Sequence, residues 1–515
     1  MKYSFNRRNF LRLGIAGGAL AGLSASPLGR SAFAMQGAPQ RKLLVVFLRG
    51  GNDGLNALVP SGTAAVTNGV YGTYTSLRPD IHIYNAASGR TWAALPLNVP
   101  GSGVHPFAEL NPALSDLVPI FQSGNLALLH RVGSQGMSRS HFADQRFWET
   151  LRPQPPTTTG GRNYAATNYH EGWVAKWASQ QTAGFHAASL SVRQQQLCDS
   201  IAPGELQAHI RRLYSAPGVL SYSFDEPAGR GTVMGMGANS IAAHLRTGLA
   251  ARADQVAYPP RNAIDGRGRD TLTETLSSES QATSSIGSYM LHGGATYPVR
   301  GTMPPSIPTE LPESGAVDEF GAQMSNAAQV IKASSAQIVC VEYGGFDNHA
   351  NQVYQSAADH ELGKHQEVLA TLAKGLAAFY TDVNLDPTAP ECLTLVVSEF
   401  GRTSDQNNSR GTDHAEGGLV FAMGDGIQTS KLVHNFEHNP GSWQHMTSSD
   451  FTSAGPRHME HKTDFRTVFE EVFQKYLMLP QPVIDSLLPG FANDKTTLQT
   501  LFGHTNFTTQ LGFLV

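Results

Sequence analysis

Four short clusters of acids and histidines accompany the apolar runs of this 515-residue chain. They are Asp53 in RGGNDG, Asp347 and His349 in GGFDNH, Glu399 in SEFGR, and Asp413 with His414 in GTDHAEGG. Carboxylates and imidazoles ligate divalent cations, and several of them converging on one place make a metal site. Asp347 and His349 are two apart, so an extended segment turns both side chains to one side, where they can share an ion. Each cluster also has a plainer reading. Asp53 lies among Gly50, Gly51 and Gly54, the setting of an Asx turn that caps its own backbone. Glu399 is placed to pair with Arg402 across one turn, a contact of small energy at a surface. His414, between Asp413 and Glu416, reads equally as a hydrogen-bonded loop histidine.

A fifth segment carries hydroxyls. Ser138-Arg139-Ser140-His141-Phe142 opens a helical pattern that runs to about Thr150. A hydroxyl in the first turn of a helix feels the positive end of the helix dipole, and a nearby divalent cation lowers its pKa further, which suits a serine that becomes covalently modified. Ser140 is the candidate nucleophile, with Ser138 its rival; Ser is also the preferred N-cap, so Ser138 has a purely structural reading. His141 and Arg402 complete the candidate catalytic group. Arg402 or Arg139 would hold substrate oxygens through paired N–H donors. Ser140 and His141 do not pair with each other, because successive helical side chains diverge by about 100°.

The elements that must position these residues are legible as runs. Leu43 to Leu48 (LLVVFL), Gln337 to Tyr343 (QIVCVEY), Leu393 to Ser398 (LTLVVS) and Leu126 to His130 (LALLH) are nearly unbroken and apolar, as buried parallel strands are. Leu362, Leu369, Leu372, Leu376 and Phe379 recur at helical spacing, as do Phe465, Val468, Phe469 and Val472 within Thr463 to Leu477. Strands alternating with helices predict an α/β fold, a mostly parallel sheet with helices on both faces. Ligands of such sheets bind beyond the carboxyl ends of the strands, where all four clusters fall. Asp53, Asp347, His349, Glu399 and His414 are therefore expected to surround one divalent cation within about 7 Å, its identity open between zinc, calcium, magnesium and manganese. His360 and His365 are assigned to the long helix and read as structural. From Ala257 to Asp318 seven prolines with many Ser, Thr and Gly read as loop, and with the helical Ala238 to Ala253 they define an expected cap at about 185–318.

The N-terminus fixes the expected compartment. Asn6 to Leu11, with Arg7 and Arg8, form a twin-arginine signal; a short glycine-containing apolar stretch and Ala32-Phe33-Ala34 complete a signal peptide over residues 1–34. The mature protein is then expected in the periplasm or secreted, without a stable membrane span, after passage through the twin-arginine translocase. The signal holds five of the 37 Lys and Arg and none of the 41 acids, which leaves 32 against 41 and a net charge of −9. That composition excludes a basic nucleic-acid-binding face. Three cysteines, Cys198, Cys340 and Cys392, are too few for a disulfide scaffold.

The ordered set LVVFLRGGNDGLNALVP, SRSHFADQRFWE, GGFDNHANQ, SEFGRT, GTDHAEGG and TDFRTVFEEV resembles the twin-arginine-exported bacterial family called domain of unknown function fifteen-oh-one, of the alkaline phosphatase and sulfatase superfamily. The resemblance spans nearly the whole mature chain. It implies an alkaline phosphatase-like fold and a metal-dependent hydrolase of phosphate or sulfate esters. By position Asp53 matches the first ligand carboxylate, Ser140 the nucleophile region, Asp347 and His349 the second-strand ligands, Glu399 the third-strand carboxylate and His414 the last histidine. Two departures stand out. Glu399-Phe400 replaces an Asp-His pair, and no Cys-x-Pro-x-Arg-like sequence surrounds Ser140, which argues against an aldehyde-bearing sulfatase. The reading is thus a periplasmic metal-dependent hydrolase of a small or polysaccharide-linked anionic ester, acting through a seryl intermediate. The alternatives are an inactive secreted binding or assembly protein of the same fold, and a metal-free serine esterase, which lacks the G-x-S-x-G elbow.

Overall fold

Seven consecutive residues of the first strand, β1 (Lys42–Leu48), are buried, which requires cover on both faces of the sheet and explains a run without polar alternation. In the computed structural model the described residues are 41–134, 137–151, 172–178, 180–181, 187–189, 219–221, 291–298, 314–356, 358–429, 432–434, 437–439, 442–502, 508 and 510–515. The expected signal peptide, the helix expected at Ala238 to Ala253 and most of the expected cap lie outside them.

The central sheet has nine strands: β1, β2 (Leu126–Gly133), β3 (Ala187–Ser189), β4 (Val219–Ser221), β5 (Ile338–Tyr343), β6 (Cys392–Ser398), β7 (Gly418–Gly424), β8 (Val433–His434) and β9 (Thr463–Asp464). Their order is β8-β2-β7-β6-β1-β5-β3-β4, with β9 also paired to β2. Every pairing is parallel except the two made by β7, which runs against β2 and β6. The architecture is mixed α/β with a mostly parallel central sheet. β3 and β4, within the range expected to form the cap, are strands added to the sheet beyond β5. A smaller antiparallel sheet joins Leu58–Val59, Leu95–Val99 and Gly103–Leu110.

Helices α1 (His141–Thr150), α2 (Ser314–Ala333), α3 (Lys364–Phe379) and α4 (Phe465–Glu471) accompany it. Trp148 of α1 packs on Phe465 and Phe469 of α4, and Phe320 of α2 stacks on Tyr343 of β5. α3 begins at Lys364, so His360 precedes it, with a left-handed φ of 61°, while His365 is inside the helix and buried. Thr463 and Asp464 are strand rather than helix, and the Asp464 side chain caps α4 by accepting from the Arg466 N–H. Cys340 and Cys392 are buried in β5 and β6 as free thiols. Among the described residues no helix is long and apolar enough to cross a membrane.

Because β7 is antiparallel, its N-terminal end lies at the same sheet edge as the C-terminal ends of β1, β2, β5 and β6. The five loops carrying the sequence clusters therefore leave the sheet on one side.

Candidate metal centre

Asp347 sits four residues beyond β5 and is held there by Arg402. The Arg402 guanidinium donates to Asp347 Oδ1 at 2.6 Å, to Phe346 O at 3.1 Å, to Gly51 O at 2.9 Å, to Thr412 O at 2.9 Å and to Gly50 O. One buried cation thus ties the loops after β1, β5 and β6 together. Its donors are spent on the protein, so Arg402 does not present the paired N–H groups expected of it toward a substrate. Burial works against the Asp347 charge, yet His141, His414 and Arg402 hold its carboxyl well below the usual carboxylate range.

Three imidazoles face this carboxylate. His414 Nε2 lies 3.1 Å from Asp347 Oδ1, His349 Nε2 3.0 Å from the same oxygen, and His141 Nε2 3.3 Å from Oδ2. On the far side of each ring Nδ1 meets an acceptor: Arg139 O at 2.8 Å for His414, Asp413 Oδ1 at 3.1 Å for His349, and Glu399 Oε1 at 2.8 Å for His141. In a neutral ring that donates from Nδ1 to this acceptor, Nε2 carries the lone pair; in a protonated ring Nε2 donates to Asp347. His349 Nε2 and His414 Nε2 are 2.9 Å apart, so in the neutral rings two lone pairs oppose each other. Only a proton or a metal cation between them removes that repulsion.

The donor set fits a metal ion. One oxygen of Asp347 and one nitrogen each of His141 and His414 lie within 4.8 Å of one another, and His349 adds a third nitrogen. Around Asp347 Oδ1, His349 Nε2 and His414 Nε2 are 2.9–3.1 Å from the oxygen and from each other, close to the spacing of about 3.3 Å between donors that share a zinc-type ion. Electrostatics agree. Burial opposes the charged form of His141, but Asp347 and Glu399 push its pKa up to about 9, which marks a place that favours a cation.

Glu399 joins this group one shell out. Its Oε1 accepts from Gly50 N at 2.8 Å, Gln145 Nε2 at 3.0 Å and His141 Nδ1, and its Oε2 accepts from Ser398 Oγ at 3.1 Å. Gly50 has φ of 120°, and a Cβ there would overlap the Asp347 backbone, so glycine is required for β1 and β5 loops to close on each other.

Asp53 has other company. Arg78 Nη1 donates to its Oδ2 at 2.7 Å, Gln352 Nε2 to the same oxygen at 2.6 Å, and Asn56 N to Oδ1 at 3.4 Å, capping the short helix Gly54–Ala57. The expected turn-capping role is present together with a buried ion pair. Burial raises its pKa, but Arg78, His365 and Gln352 together hold it below the usual value. Its hydrogen bonds run to these residues and not to the three imidazoles.

In the serine segment, Ser138 Oγ donates to Asp144 Oδ1 at 3.0 Å and accepts from Ser140 N at 3.0 Å, and the residue is buried. Ser140 is the N-cap of α1 but makes no capping hydrogen bond, and it is half-buried beside His141. His141 directs both ring nitrogens to carboxylates and is not placed as a base for Ser140. Arg139 reaches His458 Nε2 at 3.0 Å and Glu416 Oε1 at 3.4 Å, with Nε lacking a partner among the described residues.

The structure therefore brings together Asp347, His349, His414, His141, Glu399 and Arg402, and gives Asp53 to Arg78. Arg78, Gln352, Gln145 and Asp144 were not singled out from sequence: Asp144 and Gln145 lie within SRSHFADQRFWE and Gln352 within GGFDNHANQ, but their partners are 5 to 299 positions away, and Arg78 stands in no motif. No curated protein matches the chain. Residues 275–469, which include Asp347, His349, Glu399, Arg402, Asp413 and His414 but not the serine segment, match the family model described as "Protein of unknown function (DUF1501)".

Proposed function

We propose that the chain is an exported, metal-dependent hydrolase of a phosphate or sulfate ester on an alkaline phosphatase-like fold, with Ser140 as nucleophile. The observation that carries this reading is the gathering of His349 Nε2 and His414 Nε2, 2.9 Å apart, on the Asp347 carboxylate with His141 Nε2 on its other oxygen. Asp347, His141, His349 and His414 would hold the ion, with Glu399, Asp413 and the Arg139 carbonyl orienting the rings. Three nitrogens and one oxygen favour an ion of the zinc type over calcium or magnesium, which take oxygen ligands. Such an ion supplies Lewis acidity toward an ester oxygen and lowers the pKa of a neighbouring hydroxyl.

The chain's own residues do the rest. Ser140 Oγ, uncommitted to capping and adjacent to His141, would attack the phosphorus or sulfur as the bond to the substrate alcohol breaks, the alcohol leaving with the proton given up by the serine; water then hydrolyses the seryl ester, releasing phosphate or sulfate and restoring the hydroxyl. Arg139, 27% exposed, would hold a non-bridging oxygen through its guanidinium, a task for which Arg402, 1% exposed, is not placed. Arg402 instead holds Asp347 in place. Export through the twin-arginine route, read from Arg7 and Arg8, would place the enzyme in the periplasm or beyond.

Elemental analysis of the natively purified protein, with turnover assays on aryl phosphate, phosphodiester and sulfate esters, tests the reading. Ser140→Ala is expected to keep the metal and lose turnover. A native protein with no metal and no turnover would instead be the binding or assembly protein of the same fold.

A further inference from the structure

Asp144 is fully buried, yet nothing in the proposed chemistry uses it. It lies in the first turn of α1 and reaches back over the segment that precedes the helix. Its Oδ1 accepts from Ser138 N at 2.8 Å and from Ser138 Oγ at 3.0 Å, and its Oδ2 accepts from Arg139 N at 2.7 Å. Ser138 Oγ in turn accepts from Ser140 N, so three consecutive residues are tied to one carboxylate, directly or through one hydroxyl.

The middle residue of the three is the one under constraint. Arg139 has φ of 60°, a left-handed conformation that a side chain-bearing residue keeps only where its surroundings impose it. The bonds of Ser138 and of the Arg139 N–H to Asp144 on one side, and of the Ser140 N–H to Ser138 Oγ on the other, impose it here. The conformation has a consequence on the other side of the peptide chain, because Arg139 O is the acceptor for His414 Nδ1 at 2.8 Å. Two residues later the same segment delivers His141, whose entry into α1 follows from where Ser140 is held.

We infer that Asp144 is a positioning residue of the metal centre, a carboxylate that orients His414 and His141 by holding the Ser138–Ser140 segment in its left-handed turn. It acts on two of the three imidazoles and touches neither. The inference rests on the metal reading proposed above. It adds that metal affinity depends on a group separated from the ion by a whole loop, and that the serine segment and the ligand set are one mechanical unit.

The test uses the full chain as the native protein, Asp144→Ala and Asp144→Asn. Zinc affinity is measured by competition with a chromophoric chelator, and ligand geometry by the visible spectrum of the cobalt(II)-loaded protein. Asp144→Ala is expected to weaken zinc binding roughly 10–100-fold, the usual effect of losing an outer-shell partner, and to alter the cobalt spectrum. Asp144→Asn, which retains one acceptor oxygen, should fall between it and the native protein. Asp382→Asn is the control for a merely structural carboxylate: Asp382 is equally buried, and accepts from His292, Tyr297 and Lys332, none of them in the cluster. It should lower Tm while leaving affinity and spectrum unchanged.

Native zinc affinity and an unaltered cobalt spectrum in Asp144→Ala overturn the inference and leave the metal reading standing. If that variant fails to fold, Asp144→Asn decides, and native behaviour in it is the overturning result. A native protein that binds neither ion removes the metal reading, and this inference with it.

Discussion

Two carboxylates leave the same edge of the sheet, Asp53 after β1 and Asp347 after β5, and they have opposite surroundings. The Asp347 side chain is 46% exposed and faces three imidazoles; that of Asp53 is 3% exposed and is neutralised by Arg78, itself fully buried. Both have depressed pKa values, Asp347 chiefly through hydrogen bonds from His141, His414 and Arg402, Asp53 chiefly through the charge of Arg78, each against the cost of burial. A depressed pKa therefore does not by itself mark a ligand. Each is paired with a buried guanidinium, Arg78 or Arg402; what separates the two is that Asp347 also faces three rings that can exchange a proton for a metal ion. On this argument Asp53 contributes to stability and Asp347 to binding.

The comparison breaks most visibly when each carboxylate is removed. Asp53→Ala leaves a buried guanidinium without its counter-ion, and removing one partner of a buried pair costs about 3–5 kcal/mol. Chemical denaturation should show that loss, while metal content per folded molecule stays at the native value. Asp347→Ala differs in its metal content, which should fall to background; it too strands a buried guanidinium, Arg402, but Arg402 keeps four carbonyl acceptors, so the stability loss should be the smaller of the two. Loss of metal from a folded Asp53→Ala protein would put Asp53 back among the ligands.

A pH profile sharpens the same contrast. The folded pKa of Asp53 lies below its unfolded value of about 3.9, so the unfolded state binds the proton more readily. The stabilisation from this pair is then fully present above about pH 4 and is lost as pH falls through the folded pKa. The expected observation is a Tm gap between the native chain and Asp53→Asn that is constant near neutrality and narrows as pH falls below about 4. A gap that stays constant throughout would mean that the pair is not charged in the folded protein.

The contrast also explains what was legible beforehand. β1, β5, β6 and the start of β2 were readable within a residue or two, because buried strands leave an uninterrupted apolar run. Asp347, His349 and His414 were readable as a group because strand ends converge. Asp53 occupies an equivalent strand end, and its fate depends on Arg78, 25 positions away on a segment with no motif. Glu399 was expected among the ligands and lies behind His141 instead; whether a carboxylate touches an ion or the back of His141 depends on distances of a few ångströms that spacing along the chain does not encode. The role expected of Arg402 met the same limit: its three nitrogens donate to four carbonyls and the Asp347 carboxylate, which only the folded arrangement shows.

The smallest expected effect comes from Asp413, the acceptor behind His349. Asp413 is itself held by Asn407 and Arg457, and its side chain is 38% exposed. Asp413→Asn keeps an oxygen that can accept from His349 Nδ1 at the native position, and the charge it removes is partly screened by solvent. Loss of an outer-shell partner commonly weakens metal binding 10–100-fold, so this conservative change should fall at or below about tenfold. The same chelator competition measures it. An effect larger than that of Asp144→Ala would mean that His349, on the open side of the cluster, depends on its own carboxylate more than His414 and His141 depend on the serine segment. The inner, loop-held pair of rings would then no longer be the part of the centre that sets affinity.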